Sequence, residues 1–159
     1  MTIGYKCLSQ QPVTPLYFKT DELTAEEIFA FFRICHTHID GVDLKQFAEK
    51  IRTNAVTIEA YLANKMVGLC ACYMNDYDTR TAYITHIAIA PQYRGCGYGK
   101  QLLEKTIALA TEKGFRYLNL EVVKTNTPAL SLYKSHNFII IEDRNTKYLM
   151  SLLCADKSR

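Results

Sequence analysis

Three closely spaced glycines, Gly95, Gly97 and Gly99, separate an apolar β-rich segment from a long amphipathic helical segment. Glycine adopts backbone conformations that other residues avoid, so such a loop can turn tightly and direct successive N–H groups the same way. At the start of a helix, those N–H groups form a binding site for an anion such as phosphate. The arrangement predicts a strand–loop–helix unit with a phosphate site at its turn.

Two common phosphate-binding patterns do not match this loop. A dinucleotide-binding fingerprint that starts at Gly95 needs a glycine at position 100, which is Lys100. A P-loop needs a glycine at position 94 and a hydroxyl residue at position 101, which are Arg94 and Gln101. The remaining pattern is Arg-x-x-Gly-x-Gly, and a redox or nucleotide-binding domain is disfavoured.

The hydrophobic periodicity predicts helices and strands on both sides of the loop. Helical spacing covers Leu23 to Ile34, with Thr24 as the N-cap, and Asp43 to Arg52. The predicted strands are 16–19, 56–62, 66–74, 81–90, 117–123, 138–142 and 147–153, and the other helices are 99–113 and a short one capped by Asn126. This order predicts a single mixed α/β domain over residues 1–159, whose last hairpin turns at residues 143–145.

The composition is that of an ordinary folded domain and favours neither a nucleic-acid nor a membrane protein. The 159 residues are 48% hydrophobic and 22% charged, with a formal charge of +3 and no run of Lys and Arg. No segment approaches the ~20 apolar residues of a membrane span, and Met1 to Lys6 do not begin a signal peptide. The six cysteines lack the spacing of a disulfide-rich domain, which predicts reduced thiols in the cytoplasm. Cys70 and Cys72 are predicted to lie in the core.

The segment Ile87 to Gly99 resembles the signature of the GNAT superfamily, the acetyl-CoA-dependent N-acyltransferases. The likeness continues in Leu118 to Val122 and in Asn126 to Phe138, in the order and at the spacing of the family. One departure is Asn137, which stands where the family usually has glycine. The resemblance implies a mostly antiparallel central sheet with one splayed parallel strand pair and helices on both faces.

The resemblance also implies a site for acetyl-CoA as cosubstrate, without a metal. Backbone groups of Ile87, Ala88 and Ile89 would line the pantetheine arm, and Asn126 would contact it. Main-chain N–H groups of the glycine loop would bind the pyrophosphate; the loop comprises Arg94, Gly95, Cys96, Gly97, Tyr98, Gly99 and Lys100. The acetyl group would pass directly to a primary amine in a ternary complex, so Cys96 is not the predicted nucleophile.

Two residues have candidate catalytic roles. Tyr133 resembles the family's general acid, and a phenol of pKa ~10 can protonate a departing thiolate without being ionised at neutral pH. Glu121 resembles the general base of ribosomal-protein N-terminal acetyltransferases. The acceptor needs such a base because a protonated amine has no lone pair for attack. His86 or a chain of waters is the alternative base, although strand alternation turns His86 away from Thr85.

The acceptor-binding residues are predicted from position. Tyr83 and Thr85 share the strand face that would border the acceptor. His36 and His38 lie in the loop after the first helix, which borders the acceptor site in the family, and they have no further ligands to complete a metal site.

The identity of the acceptor is left open by the sequence. The segments Phe47 to Lys50 and Leu69 to Asp76 resemble acetyltransferases of bacterial polysaccharide clusters, which implies an amino sugar or another small amine. A protein N-terminus is the alternative acceptor, and a non-catalytic acyl-CoA sensor is the alternative function. A monomer or a homodimer is expected, with Lys147 to Leu153 as the strand that would pair across an interface.

Overall fold

A computed structural model describes residues 15–155. Four α-helices are present in this range: α1 (Ala25–Ile34), α2 (Leu44–Asn54), α3 (Tyr98–Glu112) and α4 (Thr127–Ser135). The seven strands are β1 (Leu16–Thr20), β2 (Val56–Leu62), β3 (Lys65–Asp76), β4 (Thr81–Ile89), β5 (Tyr117–Val123), β6 (Ile139–Arg144) and β7 (Lys147–Leu153). Every predicted element forms. The predictions for Cys7 and for Met1 to Lys6 lie outside the described residues.

The strands form one sheet in the order β1-β2-β3-β4-β5-β7-β6. The parallel pair is β4 with β5, in which Thr81–Ile84 is in register with Tyr117–Leu120. This ladder stops at Ile84 although the two strands run on to Ile89 and Val123. The pairs β1–β2, β5–β7 and β6–β7 are antiparallel. The predicted mixed sheet with one parallel pair is confirmed.

The described chain divides into two compact units whose boundaries fall inside β3, β4 and α3. Residues 15–71 and 86–104 form the first unit, which contains β1, α1, α2 and β2. Residues 72–85 and 105–155 form the second, which contains β5, α4, β6 and β7. In residues 15–155, no helix combines the length and the apolar character that crossing a membrane requires.

The first unit is organised by the helical hairpin of α1 and α2. The Thr24 hydroxyl accepts from the Glu27 amide at 3.2 Å, and the Glu27 carboxylate accepts from the Thr24 amide at 2.8 Å. This reciprocal capping box confirms the predicted start of α1. The helices bury a continuous apolar cluster against the sheet, which includes Ile28, Phe31, Phe32, Ala48, Ile51, Leu69 and Ala71.

The second unit is built around β5. Strand alternation buries Leu118, Leu120 and Val122 and leaves Asn119 and Glu121 on the opposite face, where they are half-buried. Strand β7 pairs with β5 on one side and with β6 on the other. The prediction that Lys147–Leu153 pairs across a dimer interface is therefore wrong, because both edges of β7 are already occupied.

The last hairpin turns later than the sequence predicted. Strand β6 continues to Arg144, which pairs with Lys147, so only Asn145 and Thr146 connect the two strands. Asn145 takes a φ of 66°, a left-handed conformation that asparagine tolerates. Arg144 is a strand residue rather than a turn residue, and its side chain projects from a defined face of the sheet.

Candidate active site

The glycine loop has the backbone shape that its sequence predicts. Gly95 and Gly97 have φ values of 78° and 82°. A Cβ at either position would meet nothing within 4 Å, so the conformation, and not close packing, favours glycine there. Gly99 has no such φ and lies in the first turn of α3. The loop therefore leads directly into a helix N-terminus.

The residues of this loop fit a bound pyrophosphate. The first amides of a helix have no partner within the helix, so the start of α3 offers N–H groups and the positive end of the helix dipole. The Arg94 side chain braces the loop, since its Nε donates to the Ile89 carbonyl at 3.0 Å. Cys96 Sγ lies 3.9 Å from the Arg94 carbonyl, and Lys100 is exposed on α3.

The three apolar residues before the loop lie on β4 with different surroundings. Ala88 packs against the core cluster of α1 and α2. Ile89 lies over Gly68 of β3, where a Cβ would come within 2.7 Å of Ile89 Cδ1. Ile87 is half-buried. The side chains of Ala88 and Ile89 thus pack against other parts of the unit. The resemblance implies that the backbone groups of this segment would contact the pantetheine arm.

His86, the alternative base, is packed against aromatic rings. Its imidazole lies edge-on to Phe32 at 4.8 Å and to Phe47 at 6.5 Å between ring centroids. Nε2 is buried without a hydrogen-bond partner, and burial lowers the pKa of His86 to about 4. The imidazole is therefore neutral at physiological pH and lies in an apolar environment.

The loop after α1 carries His36 and His38, the two histidines predicted as acceptor contacts. His36 has a φ of 52° and is exposed. His38 Nε2 lies 2.9 Å from Asp40 Oδ1, and the His38 side chain is 82% exposed. Over residues 15–155, no group of three or more His, Cys, Asp or Glu side chains is arranged to bind a metal ion.

The second unit brings Tyr83, Glu121 and Arg144 together. Tyr83 Oη donates to Glu121 Oε1 at 3.0 Å, and Arg144 Nη1 donates to the same oxygen at 3.2 Å. Burial, reinforced by the Glu121 carboxylate, raises the pKa of Tyr83 to about 12, so this phenol stays protonated. The Glu121 side chain is 30% exposed, which leaves its carboxylate accessible to a ligand.

Arg144 is the residue of this cluster that sequence reasoning missed. It was predicted to lie in a turn, whereas β6 extends through it and directs it along the same face as Glu142. The available signal was the alternation of positions 142 and 144, which share one face of a strand.

The other predicted residues of the second unit lie on β4 and α4. Asn126 caps α4, with its Oδ1 accepting from the Ala129 amide at 3.3 Å. Tyr133 is 7% exposed and packs on Phe138, with ring centroids 5.7 Å apart. Thr85 hydrogen-bonds to Tyr73, whose pKa is raised by burial. Tyr83 is thus brought into direct contact with Glu121, and Thr85 with a further tyrosine.

Comparison with known proteins identifies the family. The model of the acetyltransferase (GNAT) family matches residues 21–138. The chain belongs to the GNAT family. The family resemblance seen in residues 87–138 is confirmed, and the match extends well before that segment.

Two curated GNAT relatives have different acceptors. Ribosomal protein bS18-alanine N-acetyltransferase from Haemophilus influenzae is 39% identical over 85 residues, which are 54% of this chain and 56% of the relative. Thialysine N-epsilon-acetyltransferase from Bos taurus is 36% identical over 66 residues, 40% of this chain and 39% of the relative. The chain spans about half the length of the curated relatives it matches. The predicted amino-sugar acceptor is not confirmed.

A solved GNAT structure shares the fold over nearly the whole chain. The ribosomal-protein-S18-alanine N-acetyltransferase from Escherichia coli superposes with a TM-score of 0.75 at 22% identity, covering 91% of this chain and 99% of that one. The likeness shows that the helices and strands described above form the GNAT fold.

Proposed function

We propose that this chain is an N-acetyltransferase that transfers the acetyl group of acetyl-CoA directly to a primary amine. The single domain over residues 1–159 is part of this proposal. The observation that carries it is the Glu121 carboxylate, held at 3.0 Å by the protonated phenol of Tyr83 within a family motif. A positioned, partly exposed carboxylate is suited to accept the proton that an ammonium must lose before it can attack.

The cofactor-binding residues are assigned to the loop and strand described above. The pyrophosphate would be bound by the main-chain N–H groups of residues 94–100 and the α3 dipole. Residues 87–89 and Asn126 would contact the pantetheine arm. Asn126 Oδ1 serves as the helix cap, so its amide nitrogen is the group that would face a ligand. Acetyl-CoA, when bound, supplies an activated thioester.

The protein residues would manage the protons of the transfer. Glu121 would accept a proton from the acceptor ammonium, which frees the lone pair that attacks the thioester carbon. Tyr133 would donate a proton to the thiolate as the carbon–sulfur bond breaks, and the second proton that the new amide nitrogen loses would restore the phenol. Tyr83, predicted as a substrate contact, would instead hold the carboxylate, because its hydroxyl already donates to Glu121. His86 is a poor base in this scheme, since its burial against Phe32 and Phe47 serves packing.

The acceptor that we propose to test first is the α-amine of a protein N-terminus. Support comes from the bS18-alanine N-acetyltransferase relative and from Glu121, which lies in the segment that resembles the base of such enzymes. A small free amine is the second candidate, favoured by the thialysine acetyltransferase relative. A cytoplasmic location is part of this proposal.

The first test is binding followed by turnover. Acetyl-CoA at about 100 times its Kd should raise the free energy of unfolding by ~2.7 kcal/mol, whereas NAD and ATP should not. Release of CoA is then measured with alanine-initiated peptides, small diamines and amino sugars. Glu121→Gln and Tyr133→Phe should each lower kcat by roughly 10²–10⁴-fold. Tyr77→Phe, at a tyrosine that is 61% exposed, is the matched control and should retain activity.

Three results would separate the alternatives. Binding of acetyl-CoA without turnover on any amine would favour the acyl-CoA sensor. Turnover that survives Tyr133→Phe would remove that residue from the mechanism. No binding of acetyl-CoA would contradict the proposed function.

A further inference from the structure

The Glu121 carboxylate is held through one of its two oxygens. Tyr83 Oη and Arg144 Nη1 both donate to Oε1, at 3.0 and 3.2 Å. Within residues 15–155, no hydrogen bond reaches Oε2 of Glu121. Two donors on one oxygen fix the orientation of the carboxylate plane and leave the other oxygen to accept a proton.

Arg144 reaches Glu121 across an intervening strand. Glu121 on β5 and Glu142 on β6 are both in register with Leu149 of β7, so the two carboxylates lie in one row on the same face. With strands about 4.8 Å apart, the row separates their backbones by about 10 Å. Arg144 Nη2 donates to Glu142 Oε2 at 2.9 Å while Nη1 donates to Glu121. The planar guanidinium thus contacts the two carboxylates through two different nitrogens, whereas the ammonium group of a lysine has a single nitrogen.

The backbone that carries Arg144 is held in place by the residues beside it. Lys124 Nζ lies 2.5 Å from Asp143 Oδ1, and the Asn145 amide donates to the same oxygen at 3.1 Å. The turn itself has only two residues, and Arg144 pairs with Lys147 in the ladder. The backbone position of Arg144 is therefore defined by the hairpin.

We propose that Arg144 is a positioning residue for the transfer: it holds Glu121 through Oε1 so that Oε2 faces the acceptor amine. This inference rests on the proposed function. Tyr83 from β4 and Arg144 from β6 donate to Glu121, and Glu142 of β6 lies in the same row. Strand β7 contributes Leu149 to this row and, two residues along the same face, Lys147, which is in register with Arg144. Arg144 is the cation that contacts Glu121. Without it, Oε1 of Glu121 would keep the Tyr83 hydroxyl as its donor and lose the guanidinium.

The test compares Arg144→Gln, Arg144→Lys and a matched control. Arg144→Gln should lower kcat by at least about 10-fold and leave KM for acetyl-CoA unchanged, because it removes a donor to Glu121 and touches none of the residues assigned to the cofactor. Arg144→Lys should recover only part of kcat, because it restores the charge but not the two separate nitrogens that contact Glu121 and Glu142. Arg116→Gln removes another arginine of the same unit, one that packs on Tyr117, and should behave as the wild type.

Arg144→Ala with added guanidinium provides a rescue that a merely structural role would not show. Guanidinium should restore activity to this variant and not to Arg116→Ala. An unchanged kcat in Arg144→Gln, with an active wild type, would overturn this inference and leave the proposed function standing. A wild-type chain that turns over no amine would contradict the proposed function and with it any catalytic role of Arg144.

Discussion

Gly68 of β3 is a position where one added methyl group should have a measurable cost. A Cβ there would lie 2.7 Å from Ile89 Cδ1, 3.3 Å from Leu102 Cδ2 and 3.4 Å from Ala60 Cβ. Carbon atoms in contact are normally about 3.5–4.0 Å apart, so Ile89 would have to move by about 1 Å. Its terminal methyl can rotate, but Leu102 and Ala60 are fully buried and close the other directions.

The expected effect of Gly68→Ala is a net loss of stability. Overpacking of a core by one methyl group typically costs about 1–3 kcal/mol. Replacing a strand glycine by alanine otherwise gains roughly 0.5–1 kcal/mol through chain entropy. The midpoints of the two ranges leave a net loss of about 1.2 kcal/mol, which for a chain of this size corresponds to a Tm lower by roughly 2–5 °C. Because Ile89 lies in the proposed cofactor segment, acetyl-CoA should also bind more weakly.

Gly99→Ala is the matched control, since it adds the same methyl group beside the same isoleucine. Its Cβ would lie 3.7 Å from Ile89 Cγ1, an ordinary contact, and alanine favours the helix that begins there. Thermal unfolding should show a Tm equal to or above that of the wild type. A Gly68→Ala protein that melts within about 1 °C of the wild type would refute the packing argument.

Two further predictions concern the first unit. Thr24→Ala removes the capping hydroxyl of α1 and should lower the free energy of unfolding by about 0.5–2 kcal/mol in urea titrations, with an unchanged m-value. His86 is neutral in the folded state and has a pKa of about 4, against 6.5 in the unfolded chain, so protonation favours unfolding. Stability should fall by roughly 3 kcal/mol at most as the pH drops from 6.5 to 4; His86→Phe should reduce this slope, and exposed His38→Gln should keep it. Equal slopes in the wild type and His86→Phe would count against the buried neutral imidazole.

Features that depend on neighbours in the chain were predictable from the sequence. Thr24 and Asn126 cap helices because the side chain of each reaches the amide three residues further along the chain. Asn137 takes a φ of 68° and Gly114 one of 87°, where the sequence placed helix ends. The family motif also identified Glu121 as the candidate base before any geometry was known.

Features that depend on strand register required the tertiary structure. Glu121 and Arg144 are 23 positions apart in the sequence. They are in contact because β7 inserts between β5 and β6 and aligns Glu121 with Glu142, two residues before Arg144, through Leu149. Local patterns give the two faces of a strand but not its neighbour or its alignment, because those follow from pairing over long sequence distances. The same pairing places β7 inside the sheet and not at its edge. It also brings Arg144 within hydrogen-bond distance of Oε1 of Glu121.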